Sequence, residues 1–134
     1  MAAMFIYLVR HGDAVPAEVD PARPLSDKGR AEVEATAREL LAEGAQVSEI
    51  WHSGKLRARQ TAEIIARVLG VKVVIEKKGL KPDDDPAPIA ELIRKTDKNI
   101  LIAGHLPFIP TPKIPRNQTK IFGVGIYPQI SPIA

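Results

Sequence analysis

Two histidines stand where chemistry is easiest to build. His11 and His105 each close an apolar run and each has a glycine beside it, in Arg10-His11-Gly12 and Gly104-His105. Glycine lets a backbone approach a ligand closely. Arg10 precedes the first histidine. Arg57 falls where a helix is expected to open, and free backbone N–H groups and the helix dipole favour an anion there. Two arginines, two histidines and a helix start together make a phosphate pocket, because an arginine fork matches phosphate oxygens in a bidentate way. A histidine held between cations has its pKa lowered and stays neutral and nucleophilic.

The elements that must position these groups follow from the apolar pattern. Residues 3–9 are nearly continuously apolar, as in a buried central strand of a parallel sheet. Residues 13–26 carry Pro16, Pro21 and Pro24 and read as a loop. Ser26 is placed to cap a helix over about 27–43, with Val33, Ala37, Leu40 and Leu41 at helical spacing and Gly44 as the stop. A strand is expected over about 49–52. Ser53 then caps a helix over about 54–69, lined by Ala58, Ala62, Ile65 and Leu69 and ended by Gly70. Val71–Ile75 is β-branched and reads as a third strand. Asp85 followed by Pro86 starts a third helix through Ile89, Leu92, Ile93 and Thr96. Asn99–Ala103 is the fourth strand. This β-α-β-α-β-α-β order predicts an α/β fold, a three-layer sandwich with a mostly parallel sheet. Such sheets place their sites beyond the carboxyl ends of the strands, where both histidines lie.

Composition narrows the function classes. The 134 residues fit one domain, with 45% hydrophobic and 26% charged residues. There is no cysteine, which excludes thiol catalysis, Cys-ligated zinc, iron–sulfur clusters and disulfides. No run approaches the ~18 apolar residues of a membrane span. The first residues contain no basic segment and no cleavage site, so a cytoplasmic location is expected. The net charge of +3 comes entirely from Lys113, Arg116 and Lys120, because residues 1–109 hold sixteen basic and sixteen acidic side chains. Three scattered cations make a poor nucleic-acid footprint. His11, His52 and His105 show no close ligand spacing, so no metal is expected. His52 and Trp51 read as structural residues, and Arg59 as a surface ion-pairing one.

Leu8-Val9-Arg10-His11-Gly12 resembles the signature of the histidine phosphatase superfamily, which also contains the phosphoglycerate mutases. Four further segments match in order: Pro24 to Gly29, Ser53 to Ala62, Leu80 to Pro86, and Gly104-His105-Leu106-Pro107. Arg10-His11-Gly12-Asp13-Ala14 is most similar to the small SixA-type phosphohistidine phosphatases. The resemblance covers about residues 4–109 and implies a phosphoglycerate mutase-like fold. It implies that His11 becomes phosphorylated, while Arg10, Arg57 and His105 bind the phosphoryl oxygens, with Gly12 beside them. No cofactor is implied. The acid of the larger relatives has no clear counterpart. Asp85 reads as a helix cap, which leaves Asp83 or Asp84 as proton donor or loop anchor, and Asp84 is carried as the catalytic candidate. The expected partner is a phosphorylated protein bearing phosphohistidine or, alternatively, a small phosphate ester. An inactive phosphate-binding relative is the third reading. Between Val71 and Ile89 there is room only for a short turn, so no lid is expected over the pocket.

The catalytic core is placed at residues 1–109. Residues 110–134 form a divergent tail holding five of the twelve prolines. Repeated prolines prevent the helix with which the family continues, so the last part of the fold is expected to be atypical or incomplete, as after a reading-frame shift. The tail is expected to be the least ordered part, with one weak strand candidate at Phe122–Tyr127.

Overall fold

A computed structural model describes residues 5–105 and 119–122. Its elements run β1 (Ile6–Arg10), α1 (Asp27–Ala42), β2 (Glu49–His52), α2 (Leu56–Leu69), β3 (Val74–Glu76), α3 (Ala87–Lys95), β4 (Ile100–Gly104) and β5 (Thr119–Phe122). The strands form one sheet in the order β3-β2-β4-β1-β5, and every neighbouring pair is parallel. The alternating pattern had predicted this α/β architecture.

Alternation along the strands builds two cores, because successive side chains of a strand point to opposite faces. Tyr7, Val9, Ile50, Leu101 and Ala103 face one way and pack against Val33, Ala37 and Leu40 of α1 and Ala62 and Ile65 of α2. Ile6, Leu8, Trp51, Ile100 and Ile102 face the other way and pack against Leu80 and against Ile89 and Ile93 of α3. Helices therefore cover both faces, giving three layers. This is why Ile6 to Val9 is apolar without interruption: each of its side chains is buried.

The ends of the elements differ in places from the sequence reading. Leu41 and Leu92 were expected on the buried faces but are 53% and 44% exposed. The stripe facing the sheet is narrower than the apolar pattern implied: Val33, Ala37 and Leu40 complete it in α1, and Ile89, Ala90 and Ile93 in α3. The third strand starts at Val74 rather than Val71. Ser26 caps α1 as expected, accepting from Gly29 N–H at 3.0 Å. Asp85 caps the start of α3, accepting from Ala87 N–H at 3.0 Å, with Pro86 in helical conformation between them. Ser53 is not the cap of α2. That helix begins at Leu56 after Lys55, and no side chain caps it. The Ser53 hydroxyl is engaged elsewhere, with His105.

β5 lies within the segment read as a Pro-rich tail and pairs with β1 from Ile6↔Thr119 to Val9↔Phe122. The strand candidate Phe122–Tyr127 overlaps it at one residue. The rest of that candidate and the remainder of 110–134 lie outside the described residues.

Candidate active site

The sheet order brings the two histidines together. β1 and β4 are neighbours in register, Arg10 opposite Gly104, so the residues that follow emerge side by side. His11 extends the ladder by one bond, its backbone N–H donating to Gly104 O at 2.9 Å. The imidazole rings meet edge to face, with centroids 4.9 Å apart.

Hydrogen bonds fix how His11 can react. Its Nδ1 lies 2.7 Å from Gly12 O. A carbonyl oxygen only accepts, so Nδ1 carries the proton and Nε2 keeps its lone pair. Nε2 faces α2, where Arg57 Nε donates to it at 3.4 Å. Burial lowers the His11 pKa most. The bond to Gly12 opposes this, and the charges of Arg57, Arg10 and Arg23 reinforce it. The result is a neutral imidazole whose unprotonated Nε2 sits among cations.

His105 is buried, and its Nε2 is hydrogen-bonded to Ser53 Oγ at 2.8 Å. Burial, followed by His11, Arg57 and Lys55, pushes its pKa down to about 4. Both histidines are thus neutral near pH 7. Burial, and then Arg23, also lowers the pKa of Arg57. Burial is the first cause of each shift and neighbouring positive charge adds to it, an environment that favours a bound anion.

The loop after β1 is clamped to both helices. Gly12 N–H donates to Thr61 Oγ1 at 3.0 Å, and that hydroxyl donates to Arg57 O at 2.8 Å. Leu25 N–H donates to Gln60 Oε1 at 2.7 Å. On the α1 side, Ser26 N–H donates to Asp13 O and the Ser26 hydroxyl to Asp13 Oδ2 at 2.7 Å. Gly12 and Gly29 permit this closeness. A Cβ on Gly29 would lie 2.0 Å from Asp13 O, and one on Gly12 would lie 2.7 Å from Val33 Cγ2 and 2.9 Å from Gly29 O. At the far side, the uncapped start of α2 leaves its first-turn N–H groups available to an anion.

The expected site residues thus fall into two groups. Arg10, His11, Gly12, Arg57 and His105 converge at the carboxyl ends of β1 and β4 and the start of α2. Asp84 stands apart from them in its bonding. Its Oδ2 accepts from Lys81 N–H at 2.9 Å and its N–H donates to Lys81 O, closing a turn before α3. No hydrogen bond among the described residues joins it to either histidine. His52 is buried with Nδ1 accepting from Gly54 N–H at 3.1 Å, a structural arrangement. Trp51 packs in the α3-side core and donates to Glu49 Oε1 at 3.0 Å. Arg59 pairs with Glu63 at the surface, 3.9 Å away.

Three contributors were not found from sequence. Ser53 was read as a helix cap, although Ser-Gly after a strand end, with a second strand-end histidine elsewhere, was the available signal. Thr61 lies within the matching segment Ser53 to Ala62, but its only residue-level signal is a hydroxyl interrupting an apolar helix face. Arg23 sits in the proline-rich loop, where no periodicity exists to place it. It lines a cavity of about 250 Å³ together with Arg10, His11, Asp13, Lys28 and Glu32.

A family model for the histidine phosphatase superfamily, branch 1, matches residues 6–81, more than half of the chain. This chain belongs to the histidine phosphatase superfamily. Among solved structures, the protein histidine phosphatase SixA complexed with tungstate is 27% identical, with a TM-score of 0.69 over 76% of this chain and 69% of that one. SixA from Agrobacterium tumefaciens is 26% identical, with a TM-score of 0.66 over 79% and 71%. The ecdysone phosphate phosphatase of Bombix mori, with tungstate, shares the fold at 11% identity and a TM-score of 0.69, over 84% of this chain and 78% of that one. No curated protein matches the chain. The family and the SixA neighbours support a phosphatase, and the fold is the phosphoglycerate mutase-like one that the motifs implied. Among the described residues no helix is long and apolar enough to cross a membrane.

Proposed function

We propose that the protein is a phosphohistidine phosphatase, removing a phosphoryl group carried by another protein through a phosphohistidine intermediate on His11. The observation that carries this reading is the unprotonated Nε2 of His11, its tautomer fixed by the Nδ1 bond to Gly12 O and its one partner the long bond from Arg57 Nε.

In the first half-reaction, His11 Nε2 attacks phosphorus. The new N–P bond forms as the bond to the leaving group breaks, and the leaving imidazole takes a proton from solvent. In the second, water attacks the phosphorus and the Nε2–P bond breaks. Inorganic phosphate and neutral His11 result. Arg10, Arg57 and the first-turn N–H groups of α2 offset charge on the phosphoryl oxygens, so the work is positioning and electrostatics. His105 is neutral and adds a hydrogen-bonding wall without competing for the proton.

Two features favour a phosphorus–nitrogen substrate. Asp84 closes its own turn rather than reaching a histidine, so we read it as a loop anchor. Of the carboxylates that line the cavity with His11, Asp13 is held by the Ser26 hydroxyl, and among the described residues no carboxylate is hydrogen-bonded to either histidine, which disfavours an alkoxide that needs a placed acid. A phosphoimidazole leaves once its ring is protonated, which solvent does near neutral pH. The second feature is the short β3–α3 connection, residues 77–86, which leaves little chain to roof the pocket. The similarity to the SixA proteins supports the same choice.

The test compares kcat/KM on a phosphohistidine-bearing domain with that on a panel of sugar and glycerate phosphates. The protein-borne group is expected to be preferred. A small ester hydrolysed faster would replace this reading with a general phosphatase.

A further inference from the structure

Arg23 is the one non-glycine residue with a left-handed backbone among those described, at φ 50°. An L-residue with a long side chain adopts that conformation at a cost, and holds it where the surroundings impose it. Here they do. Val15 N–H donates to Pro24 O at 2.8 Å, an isolated bridge joins Ala14 to Leu25, and Arg23 N–H donates to Asp20 O at 2.9 Å. The side chain is anchored as well, Arg23 Nε donating to Val15 O at 3.1 Å. That bond uses one of five donors and leaves both terminal nitrogens uncommitted.

Those nitrogens have no carboxylate. Among the described residues Arg10, Arg23 and Arg57 take part in no ion pair, although Asp13 and Glu32 line the same cavity as Arg10 and Arg23. Asp13 Oδ2 is held by the Ser26 hydroxyl. Arg23 also lies close enough for its charge to depress the pKa values of both His11 and Arg57. A half-buried arginine, anchored at one nitrogen and lining a cavity with Arg10 and Lys28, is built to meet an anion from outside.

We infer that Arg23 is a third arginine of the phosphoryl site: from the proline-rich loop it grips oxygens of the phosphoryl group opposite Arg57 and so sets the affinity for substrate. This deepens the reading proposed above and assigns a role to a loop that would otherwise be a connection. A grip of this kind is made before and during the reaction alike, so it acts on binding more than on turnover.

The experiment uses Arg23→Gln, Arg23→Lys and Arg23→Gly. Two readouts are taken: calorimetric binding of inorganic phosphate, and KM and kcat on an aryl phosphate. Arg23→Gln is expected to weaken phosphate binding roughly tenfold to a hundredfold, as for loss of charge-assisted hydrogen bonds. KM should rise by a similar factor, with a smaller change in kcat. Arg23→Lys should recover part of the affinity through charge alone. Arg23→Gly relaxes the backbone yet lacks the guanidinium, so it should bind phosphate as poorly as Arg23→Gln. Phosphate affinity within twofold of the parent in Arg23→Gln, or full affinity in Arg23→Gly, would overturn the inference and leave Arg23 a loop anchor. Should the parent bind phosphate but hydrolyse nothing, the catalytic reading falls, while weakened binding in Arg23→Gln still supports the arginine's role. A parent that binds no phosphate overturns both.

Discussion

Ser53 Oγ stands 2.8 Å from Nε2 of His105, and both residues are buried. The same hydroxyl accepts from Lys55 N–H at 3.3 Å, so one serine joins the end of β2, the start of α2 and the residue after β4. Replacing it with alanine leaves a buried ring nitrogen without its partner, a loss of about 1–3 kcal/mol if nothing else moves. Ser53→Ala is expected to lower turnover on an aryl phosphate about tenfold or more, because His105 loses its orientation. Steady-state kinetics beside a melting curve would show it. Unchanged turnover would mean that the ring is held by packing alone.

His11→Ala is expected to abolish the phosphoenzyme. The parent, mixed with substrate and quenched quickly, should yield a covalent phosphate that survives base and is lost in acid. Label on a serine, or full activity in the variant, would refute the mechanism.

Arg57→Ala should reduce the rate far more than it reduces stability. Arg57 is only half-buried, its side chain has no carboxylate partner among the described residues, and the Thr61 bond goes to its backbone oxygen rather than its guanidinium. A drop of roughly a hundredfold in kcat/KM with a nearly unchanged melting temperature is expected. A collapse in melting temperature at normal specific activity would make Arg57 structural.

Gly29→Ala should be far more damaging than Gly44→Ala. The new methyl on Gly29 meets backbone, with Asp13 O 2.0 Å away, and must push α1 off the loop that carries His11. A cost of about 2–4 kcal/mol is expected, at the severe end for a single methyl. At Gly44 nothing lies within 4 Å, and only the left-handed φ of 74° is strained, worth roughly 1 kcal/mol. Chemical denaturation of the two variants decides between them, and equal losses would contradict the packing described.

Acid should destabilise the fold in a defined window. His105 has a folded pKa of about 4, below its ordinary 6.5. Between those values the unfolded chain binds the proton that the native ring refuses. Stability is therefore full above about pH 6.5, falls as the pH drops, and has lost this contribution once the pH reaches about 4. The size is on the order of 1–3 kcal/mol. His11 is shifted in the same direction and adds to it. Urea midpoints measured from pH 8 to pH 4 should decline through that window in the parent. A smaller decline is expected in His105→Gln.

Much of this arrangement was legible because the strongest signals were physical necessities. A strand buried on both faces must be apolar throughout, and Ile6 to Val9 is. A histidine directly after such a strand must emerge at the carboxyl edge of the sheet, and His11 and His105 do. What was not legible depends on contacts across distant parts of the chain. Serine before a helix looks like a cap whether or not its hydroxyl is drawn toward a histidine 52 residues away. Arg23 lies in a stretch whose conformation comes from the bridge Ala14↔Leu25 and from bonds to Pro24 and Asp20, none of which has a period to read. Leu41 and Leu92 misled because apolarity marks what can be buried, not what the neighbouring layer has room to cover.

The strand order carries a consequence for the birth of the molecule. β4 sits between β2 and β1, and the other neighbour of β1 is β5. A nascent chain leaving the ribosome therefore presents a strand with four consecutive buried side chains long before either edge of that strand can be paired. His105 comes ninety-four positions after His11. The first two helices and two further strands can gather while β1 waits, and the arrival of β4 covers one edge of β1 and brings the second histidine to the first, while the other edge waits for β5. An unpaired apolar strand is a template for the wrong partner, and pairing across such a separation is slow. The two histidines thus meet before β1 is covered on both edges, and protection from aggregation is complete one strand after the site is assembled.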